Sequence, residues 1–364
     1  MSPAFPINNT GNVTYSYPPP PPLVYWLIEM IAMSLFNVTV YLVLFCFTKR
    51  YVNHPHMEHH QWSYYYLMTV RYLPLPYVVE CTWRSFLPTL YNSRHVVYDT
   101  PASSILLERS LAFVGEVSWG CQLGITTAVI SHAVPMRGSP RVQKFLRGWI
   151  PLMGALIGLL GLCANIFSMI ATVTTNYYYN VWEESLWAAA YGLCGVSGIA
   201  LWLFGTDDFC IHWLFEVHPY SGQRHDHHHD DISIWVMRIY IRLLAIVGSL
   251  GVPYMAIYDI PRWNSRYQID QAAGKVYFSL SDPSDAANRR VVVQDNNVWA
   301  PDQVWMLMYF GPAVLTCVVL MLGPGRVRIE SCNCSHPSAK PRSGGAVAPA
   351  NPAISVDPVA YSQA

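Results

Sequence analysis

The chain has 364 residues, of which 52% are hydrophobic, 14% aromatic and only 12% charged, against about 25% charged residues in soluble domains. The apolar residues gather in long runs, which indicates an integral membrane protein and excludes an ordinary soluble domain. Twenty-two basic residues balance twenty-two acidic residues, so net charge gives no basis for nucleic-acid binding. We therefore expect membrane lipids and a small polar or ionic ligand as partners, and no nucleic acid.

The N-terminal segment 1–22 contains no charged side chain and ends in a run of prolines, which predicts an extended extracytoplasmic segment. Asn8 and Asn12 each begin an N-x-[ST] sequence and are candidate glycosylation sites, although this pattern also occurs by chance. The first predicted span, at about residues 23–48, ends at Lys49 and Arg50.

The segment 63–83 has the length of a span but contains Arg71, Glu80 and two prolines. It is expected either to cross the membrane as a kinked helix or to lie in the interface. The sequence therefore predicts an all-α bundle of seven transmembrane helices, or of six if 63–83 is interfacial.

The third span, at about residues 104–134, carries Glu108, Arg109 and Glu116. Arg109 and Glu116 are seven residues apart, which is two helical turns, so they share one face of the helix. A charge inside a membrane span is costly unless it faces protein or water. This face is therefore predicted to point into the bundle.

The next two spans, at about residues 148–175 and 182–205, are rich in small residues that allow helices to approach closely. The glycines are Gly154, Gly158 and Gly161 in the first of them, and Gly192, Gly195 and Gly198 in the second. Asn165 is the strongly polar interior residue of the first span, and Glu183 and Glu184 begin the second.

The last two spans are predicted at about residues 234–258 and 303–323, and a polar insert, 259–301, separates them. The insert is expected to be extracytoplasmic, with short strands at 276–280 and 289–293. These boundaries define a membrane domain, 23–325, followed by a disordered cytosolic tail, 326–364. Cys332 and Cys334 in that tail are either palmitoylation sites or unmodified thiols.

The distribution of Lys and Arg favours seven spans over six. With seven spans, eleven basic residues fall in the segments on one side, and two fall in the short segments on the other side. Basic residues are enriched in cytoplasmic loops, so the N-terminus is predicted to be extracellular or lumenal and the C-terminus cytosolic.

Several ionisable or strongly polar residues within the spans form the first candidate site. They are Arg71, Glu80, Arg109, Glu116, Asn165, Glu183 and Glu184. Ionisable residues inside membranes mark ion, proton or polar-headgroup sites by default. The alternative is a set of ion pairs, Arg109 with Glu116 or Glu80, that fixes the rotation of the helices.

Two histidine clusters form the second candidate site, and each follows the pattern HxxHH. Their members are His56, His59, His60, His225, His228 and His229. The pattern resembles the histidine boxes of membrane di-iron desaturases and hydroxylases, and the resemblance covers only these residues. It implies a possible metal ion at the clusters, whereas the competing interpretation is a pair of solvated loops; no other cofactor is indicated.

We expect a non-enzymatic protein: a transporter or channel, or a lipid-handling protein that uses the buried charged residues. The alternatives are a membrane iron oxygenase that uses the histidine clusters and a trafficking or assembly factor, which would leave no residue pattern. Sequence patterns of nucleotide hydrolases, serine esterases of the G-x-S-x-G type and H-E-x-x-H zinc proteases are absent.

Overall fold

The computed structural model describes residues 23–52, 61–91, 93–134, 136–205, 231–285 and 289–322, and within these ranges it is an all-α protein with one small sheet. The helices are α1 (Leu23–Val52), α2 (Gln61–Tyr72), α3 (Pro74–Phe86), α4 (Ile105–Ala133), α5 (Pro140–Thr174), α6 (Tyr177–Phe204), α7 (Asp231–Tyr254), α8 (Ile260–Ala272), α9 (Asn296–Met308) and α10 (Val314–Val319). The strands are β1 (Thr89–Leu90), β2 (His95–Val96) and β3 (Val291–Val292).

Four of the described helices are long and apolar enough to cross a membrane. They are Leu23–Lys49, Pro140–Thr174, Tyr177–Phe204 and Trp235–Ala272, with mean hydropathy between 1.6 and 2.2. Large apolar side chains on their outer surfaces, such as Leu152, Leu203 and Leu250, are more than half exposed. Exposed leucines on long apolar helices match the requirements of a lipid environment, so the chain is a membrane-embedded protein.

The ambiguous segment 63–83 does not form one helix. It is divided between α2 and α3, which meet at Leu73, and α3 starts with Pro74. Leu73 keeps a helical backbone conformation, with φ −57° and ψ −35°. Pro74 has no backbone N–H and so interrupts the hydrogen bonds of the helix, which accounts for the break. The two helices are 12 and 13 residues long, and neither alone has the length of a transmembrane span.

The polar insert also differs from its prediction, because the preceding helix continues far into it. A π-helical segment, Met255–Asp259, joins α7 to α8, and the combined helix ends only at Ala272. Residues 276–280 contain no strand. The second predicted strand is present as β3, which pairs in parallel with β2, while β2 pairs antiparallel with β1.

The three strands mark one end of the bundle, which we call the sheet face. The backbone N–H of Phe278 donates to the carbonyl of Thr174, so the α5–α6 turn lies at this face. Trp26 near the start of α1 packs on Trp299 near the start of α9, with ring centroids 5.8 Å apart. The ends of α3 and α8 and the starts of α1, α4, α6 and α9 therefore lie at the sheet face.

The other end of the bundle, the opposite face, is marked by a β-bridge between Met136 and Gly205. Met136 follows α4 and Gly205 follows α6, so both helices end there. A second π-helical segment, Tyr309–Ala313, joins α9 to α10, and a final 3₁₀ turn, Leu320–Leu322, contacts α1, α2 and α7. Consecutive helical passes thus alternate in direction between the two faces.

Glycines bring the central helices into direct backbone contact, as their spacing predicted. A Cβ added at Gly124 of α4 would overlap the carbonyl of Gly154 of α5, and a Cβ at Gly154 would overlap the carbonyl of Gly124. In α6, a Cβ at Gly195 would lie 3.0 Å from the backbone of Gly248 in α7. Such close approach is the usual packing mode of small residues in membrane helices.

Candidate functional site

The centre of the candidate site is an ion pair within α4. Arg109 Nη2 lies 3.1 Å from Glu116 Oε2, and Nη1 donates to Glu116 Oε1 at 3.4 Å. The side chains are seven residues apart on one face of the helix, as the sequence predicted. Arg109 is 2% exposed and Glu116 6% exposed, so both contacts lie in the interior of the protein.

Two further helices contribute partners to Arg109. Its Nη2 donates to Asn165 Oδ1 of α5 at 3.0 Å and lies 3.5 Å from Glu183 Oε1 of α6. The amide of Asn165 is held in place because its Nδ2 donates to the carbonyl of Gly161 at 3.0 Å. One guanidinium group therefore connects three helices, and its planar array of donors suits such multiple contacts.

Glu183 is held by neutral donors as well as by Arg109. Its Oε2 accepts from the hydroxyl of Tyr91 at 3.1 Å and from Nδ2 of Asn180 at 2.9 Å. Burial raises the pKa of Tyr91, in the loop between α3 and α4, well above its usual value, and the Glu183 carboxylate adds to this shift. The phenol therefore stays protonated and acts as a donor to Glu183.

A second guanidinium, that of Arg84 at the end of α3, pairs with two carboxylates. Its Nη1 donates to Glu80 Oε1 at 3.2 Å, and its Nε lies 2.6 Å from Glu108 Oε1 in an ion pair outside hydrogen-bond geometry. Both carboxylates are fully buried. Arg84 also lies over the ring of Phe310, 5.1 Å from its centroid, so its apolar surface is covered too.

The two ion-pair groups form one unit, which we call the acid cluster. Its members are Glu80, Arg84, Glu108, Arg109, Glu116 and Glu183. Glu108 and Arg109 are adjacent in α4, and Glu80 Oε2 packs against Gly115, the residue before Glu116. Four carboxyl groups share two guanidinium groups, so the cluster has an excess of two acidic groups.

An aromatic layer lies directly below the acid cluster, on the side toward the opposite face. It consists of Tyr77, Trp119, Trp187 and Tyr309, which come from α3, α4, α6 and the second π-helical segment. Tyr77 stacks on Trp119 with centroids 5.5 Å apart and meets Tyr309 edge to face at 5.4 Å. Trp119 lies 6.0 Å from Trp187. These rings separate the charged residues from the rest of the bundle.

Glu184 lies between Glu183 and the π-helical segment that precedes α8. It interacts electrostatically with Glu183 and with Asp259, which is 7% exposed. Beyond Asp259, Arg262 Nη2 pairs with Asp302 Oδ1 at 3.5 Å, and both side chains are 22% exposed. The acidic side chains thus continue from the buried cluster toward the solvent-accessible rim of the sheet face.

Arg71 is the one described candidate that lies apart from the cluster. Its Nη2 donates to the carbonyl of Phe45 at 2.9 Å, and its guanidinium lies 4.2 Å from the centre of the Phe45 ring. Tyr41 donates to the carbonyl of Arg71 at 3.2 Å. These contacts join α1 to α2, so packing between the two helices explains why Arg71 is buried there.

The remaining candidates lie outside the described residues. They are the histidines His56, His59, His60, His225, His228 and His229, the asparagines Asn8 and Asn12, and the cysteines Cys332 and Cys334. Within the described ranges, no group of three His, Cys, Asp or Glu residues is arranged to hold a metal ion. The metal, glycosylation and palmitoylation sites therefore stay predictions.

Sequence reasoning missed four residues of the site: Arg84, Glu108, Tyr91 and Asn180. Arg84 is the first residue after the predicted segment 63–83, yet it lies on α3 because the helix continues to Phe86. Its spacing of four from Glu80 is a helical ion-pair signal that could have identified it. Tyr91 and Asn180 carry no such signal, since their partner is on another element.

Comparisons with known proteins do not assign a function to this cluster. No protein-family model matches the chain, and no curated protein or solved structure shows significant similarity to it.

Proposed function

We propose that this protein is a membrane transporter or channel in which the acid cluster holds a proton or another small cation during transport. The observation that supports it is the excess of two acidic groups among six buried ionisable side chains from three helices. Burying an uncompensated charge costs several kcal/mol, so a cation is the species that such a site accepts.

The chemistry of the cluster favours a cation over an anionic group such as a lipid phosphate. Both guanidinium groups are already engaged, Arg109 by Glu116 and Glu183 and Arg84 by Glu80 and Glu108. A phosphate would have to displace these carboxylates and then lie among them. The lipid-handling alternative is therefore the weaker of the two at this site.

We also propose that the chain crosses the membrane seven times, with α2 and α3 together as the second span. The alternating direction of the helical passes and the excess of basic residues on one side support this arrangement. The sheet face would be extracellular or lumenal and the opposite face cytosolic. Tags at the two ends that prove accessible from the same side of the membrane would contradict it.

The experiment that tests the function is Glu116→Gln in protein reconstituted into liposomes. The amide keeps the shape of the carboxyl group but cannot carry its negative charge. We expect binding and flux of monovalent cations, or of protons, to fall by about tenfold or more, because a buried charge partner of Arg109 is lost. Membrane insertion should remain normal.

Glu29→Gln is the matched control, because Glu29 is an exposed residue of α1 at the same end of the bundle. It makes the same chemical change outside the cluster and should leave flux unchanged. If Glu116→Gln transports as well as Glu29→Gln does, the charges serve only to position the helices and the proposal fails.

The iron-oxygenase alternative rests on the histidine clusters alone. Analysis of the iron content of the purified protein tests this alternative.

A further inference from the structure

The acid cluster can be assigned a more specific occupant than a cation in general. We propose that it is a proton-binding site in which Glu80 carries the proton, and that this proton exchanges through the acidic side chains that lead to the sheet face. This inference rests on the proposed function only in that both use the acid cluster.

The first step is the balance of charge. Four carboxyl groups and two guanidinium groups are buried together, and the most exposed of them, Glu116, is only 6% exposed. Water is therefore not available in bulk to stabilise the excess negative charge. A buried carboxylate without a compensating cation becomes neutral by taking up a proton, because ionisation in such surroundings is too costly.

The second step identifies the carboxyl group that holds the proton. Glu80 shares Arg84 with Glu108, and its Oε2, like both oxygens of Glu108, is buried without a hydrogen-bond partner among the described atoms. Both oxygens of Glu116 accept from Arg109. Glu183 has Arg109 beside Oε1 and the neutral donors Tyr91 and Asn180 at Oε2. Of the two carboxyl groups that share Arg84, Glu108 has Oε1 at 2.6 Å from the guanidinium and Glu80 has Oε1 at 3.2 Å from it, so the negative charge of Glu80 has the weaker compensation.

The carboxyl groups of Glu108 and Glu116 disfavour a negative charge on Glu80. From α4 it faces Glu108, Arg109 and Glu116, and from its own helix Arg84. Its uncharged titratable neighbours are Tyr77 and Cys81 of α3 and Tyr309 of the second π-helical segment. Gly115 leaves no space for an additional group beside Oε2, since an added Cβ would already overlap this oxygen. A proton fits where a larger cation does not.

The third step concerns the path by which the proton reaches the cluster. Toward the opposite face, the aromatic layer closes the cluster with stacked rings. Toward the sheet face, Glu183 is followed by Glu184 and then by Asp259, and exposure rises to 22% at Arg262 and Asp302. Chains of carboxyl groups are a recurrent form of proton relay in membrane proteins.

Infrared spectroscopy of the purified full chain tests the assignment, because a protonated carboxyl group has its own carbonyl stretching band, which shifts in D2O. We expect this band at neutral pH in the unmodified protein and the loss of its Glu80 component in Glu80→Gln, whereas Glu29→Gln should leave the band unchanged. Glu80→Asp should shift the band without removing it, which covers the case in which Glu80→Gln does not fold. A spectrum of the unmodified protein without the band, or a band unchanged in Glu80→Gln, overturns the proposal.

The exchange path has its own measurement, the rate at which the band shifts after transfer to D2O. Asp259→Asn should slow this rate severalfold and keep the band, whereas Asp270→Asn, on the same helix but paired with Lys275 at the surface, should not. Equal rates in both variants overturn the path. Loss of the band on addition of Na⁺ or K⁺ would show that a metal cation displaces the proton and would overturn the proton assignment.

These results separate the two proposals. If the band depends on Glu80 but flux is unaffected by Glu116→Gln, the proton site stands and the transport function fails. If flux depends on Glu116 but no protonated carboxyl group is found, the transport function stands and the proton assignment fails.

Discussion

The two halves of α4 pack against their neighbours by different means. The half near the sheet face carries Arg109 and Glu116 and contacts other helices through charged groups. The half near the opposite face contacts α5 through Gly124 and uses neutral hydrogen bonds, from Gln122 to the carbonyl of Cys317 at 2.8 Å and between Thr127 and Tyr240 at 2.9 Å.

This difference shows that helix packing in this protein does not by itself require buried charges. One half of the helix packs tightly with small residues and neutral polar contacts, which are sufficient for association of membrane helices. The other half retains costly ionisable groups, although apolar residues of similar volume commonly replace buried ion pairs without loss of stability. The charged half is therefore where a function is expected.

The largest expected effect comes from removing the cation that three helices share. Arg109→Met leaves the Glu116 and Glu183 carboxylates buried without their guanidinium partner, and such a change typically costs about 3–5 kcal/mol. Thermal unfolding in detergent measures the loss. Arg141→Met, an exposed position of α5, serves as the control. Equal melting temperatures for the two variants would show that the charges do not hold the charged half together.

A smaller effect is expected in the glycine-packed half. Gly124→Ala places a methyl group against the carbonyl of Gly154 and forces α4 and α5 apart, at a cost of about 1–3 kcal/mol. Gly148→Ala is the matched control on α5, because a Cβ there meets no described atom within 4 Å. A melting temperature of Gly124→Ala equal to that of the control would contradict the close backbone contact.

The smallest effect concerns the sheet that covers the charged half. Burial lowers the pKa of His95 in β2 below its ordinary value, and the nearby Arg266 contributes to the shift. The folded state therefore favours the neutral imidazole. This contribution to the free energy of unfolding is fully present above the ordinary pKa of histidine and is lost as the pH falls through the lowered pKa of His95 in the folded protein. We expect the melting temperature to fall between about pH 7.5 and about pH 5, and to fall less in His95→Gln. An identical decrease in both proteins would assign the pH dependence to other groups.

The sequence was informative about features that depend on local periodicity. The approximate positions of the long apolar helices and the contact between Arg109 and Glu116 follow from helical spacing and from the cost of burying charge. The close approach through Gly154 follows from the small-residue spacing in α5. The break at Leu73 was expected only as one alternative, because the effect of Pro74 depends on the helices around it.

Contacts between distant segments were beyond the reach of these patterns. The pairing of Arg84 with Glu108 depends on how α3 and α4 are rotated relative to each other, and the pairing of β2 with β3 depends on where the insert folds back. Neither rotation nor loop path is encoded in residue spacing along one element.

The amino-acid sequence by itself determined that this is a helical membrane protein with costly charges inside it, because hydropathy and helical periodicity are properties of short segments. The tertiary structure alone decided that Glu80, Arg84, Glu108 and Glu183 join Arg109 and Glu116 in one cluster above an aromatic layer. The physical reason is that the packing of whole helices determines which charged groups meet, and it places residues as distant in the sequence as Arg109 and Glu183 in direct contact.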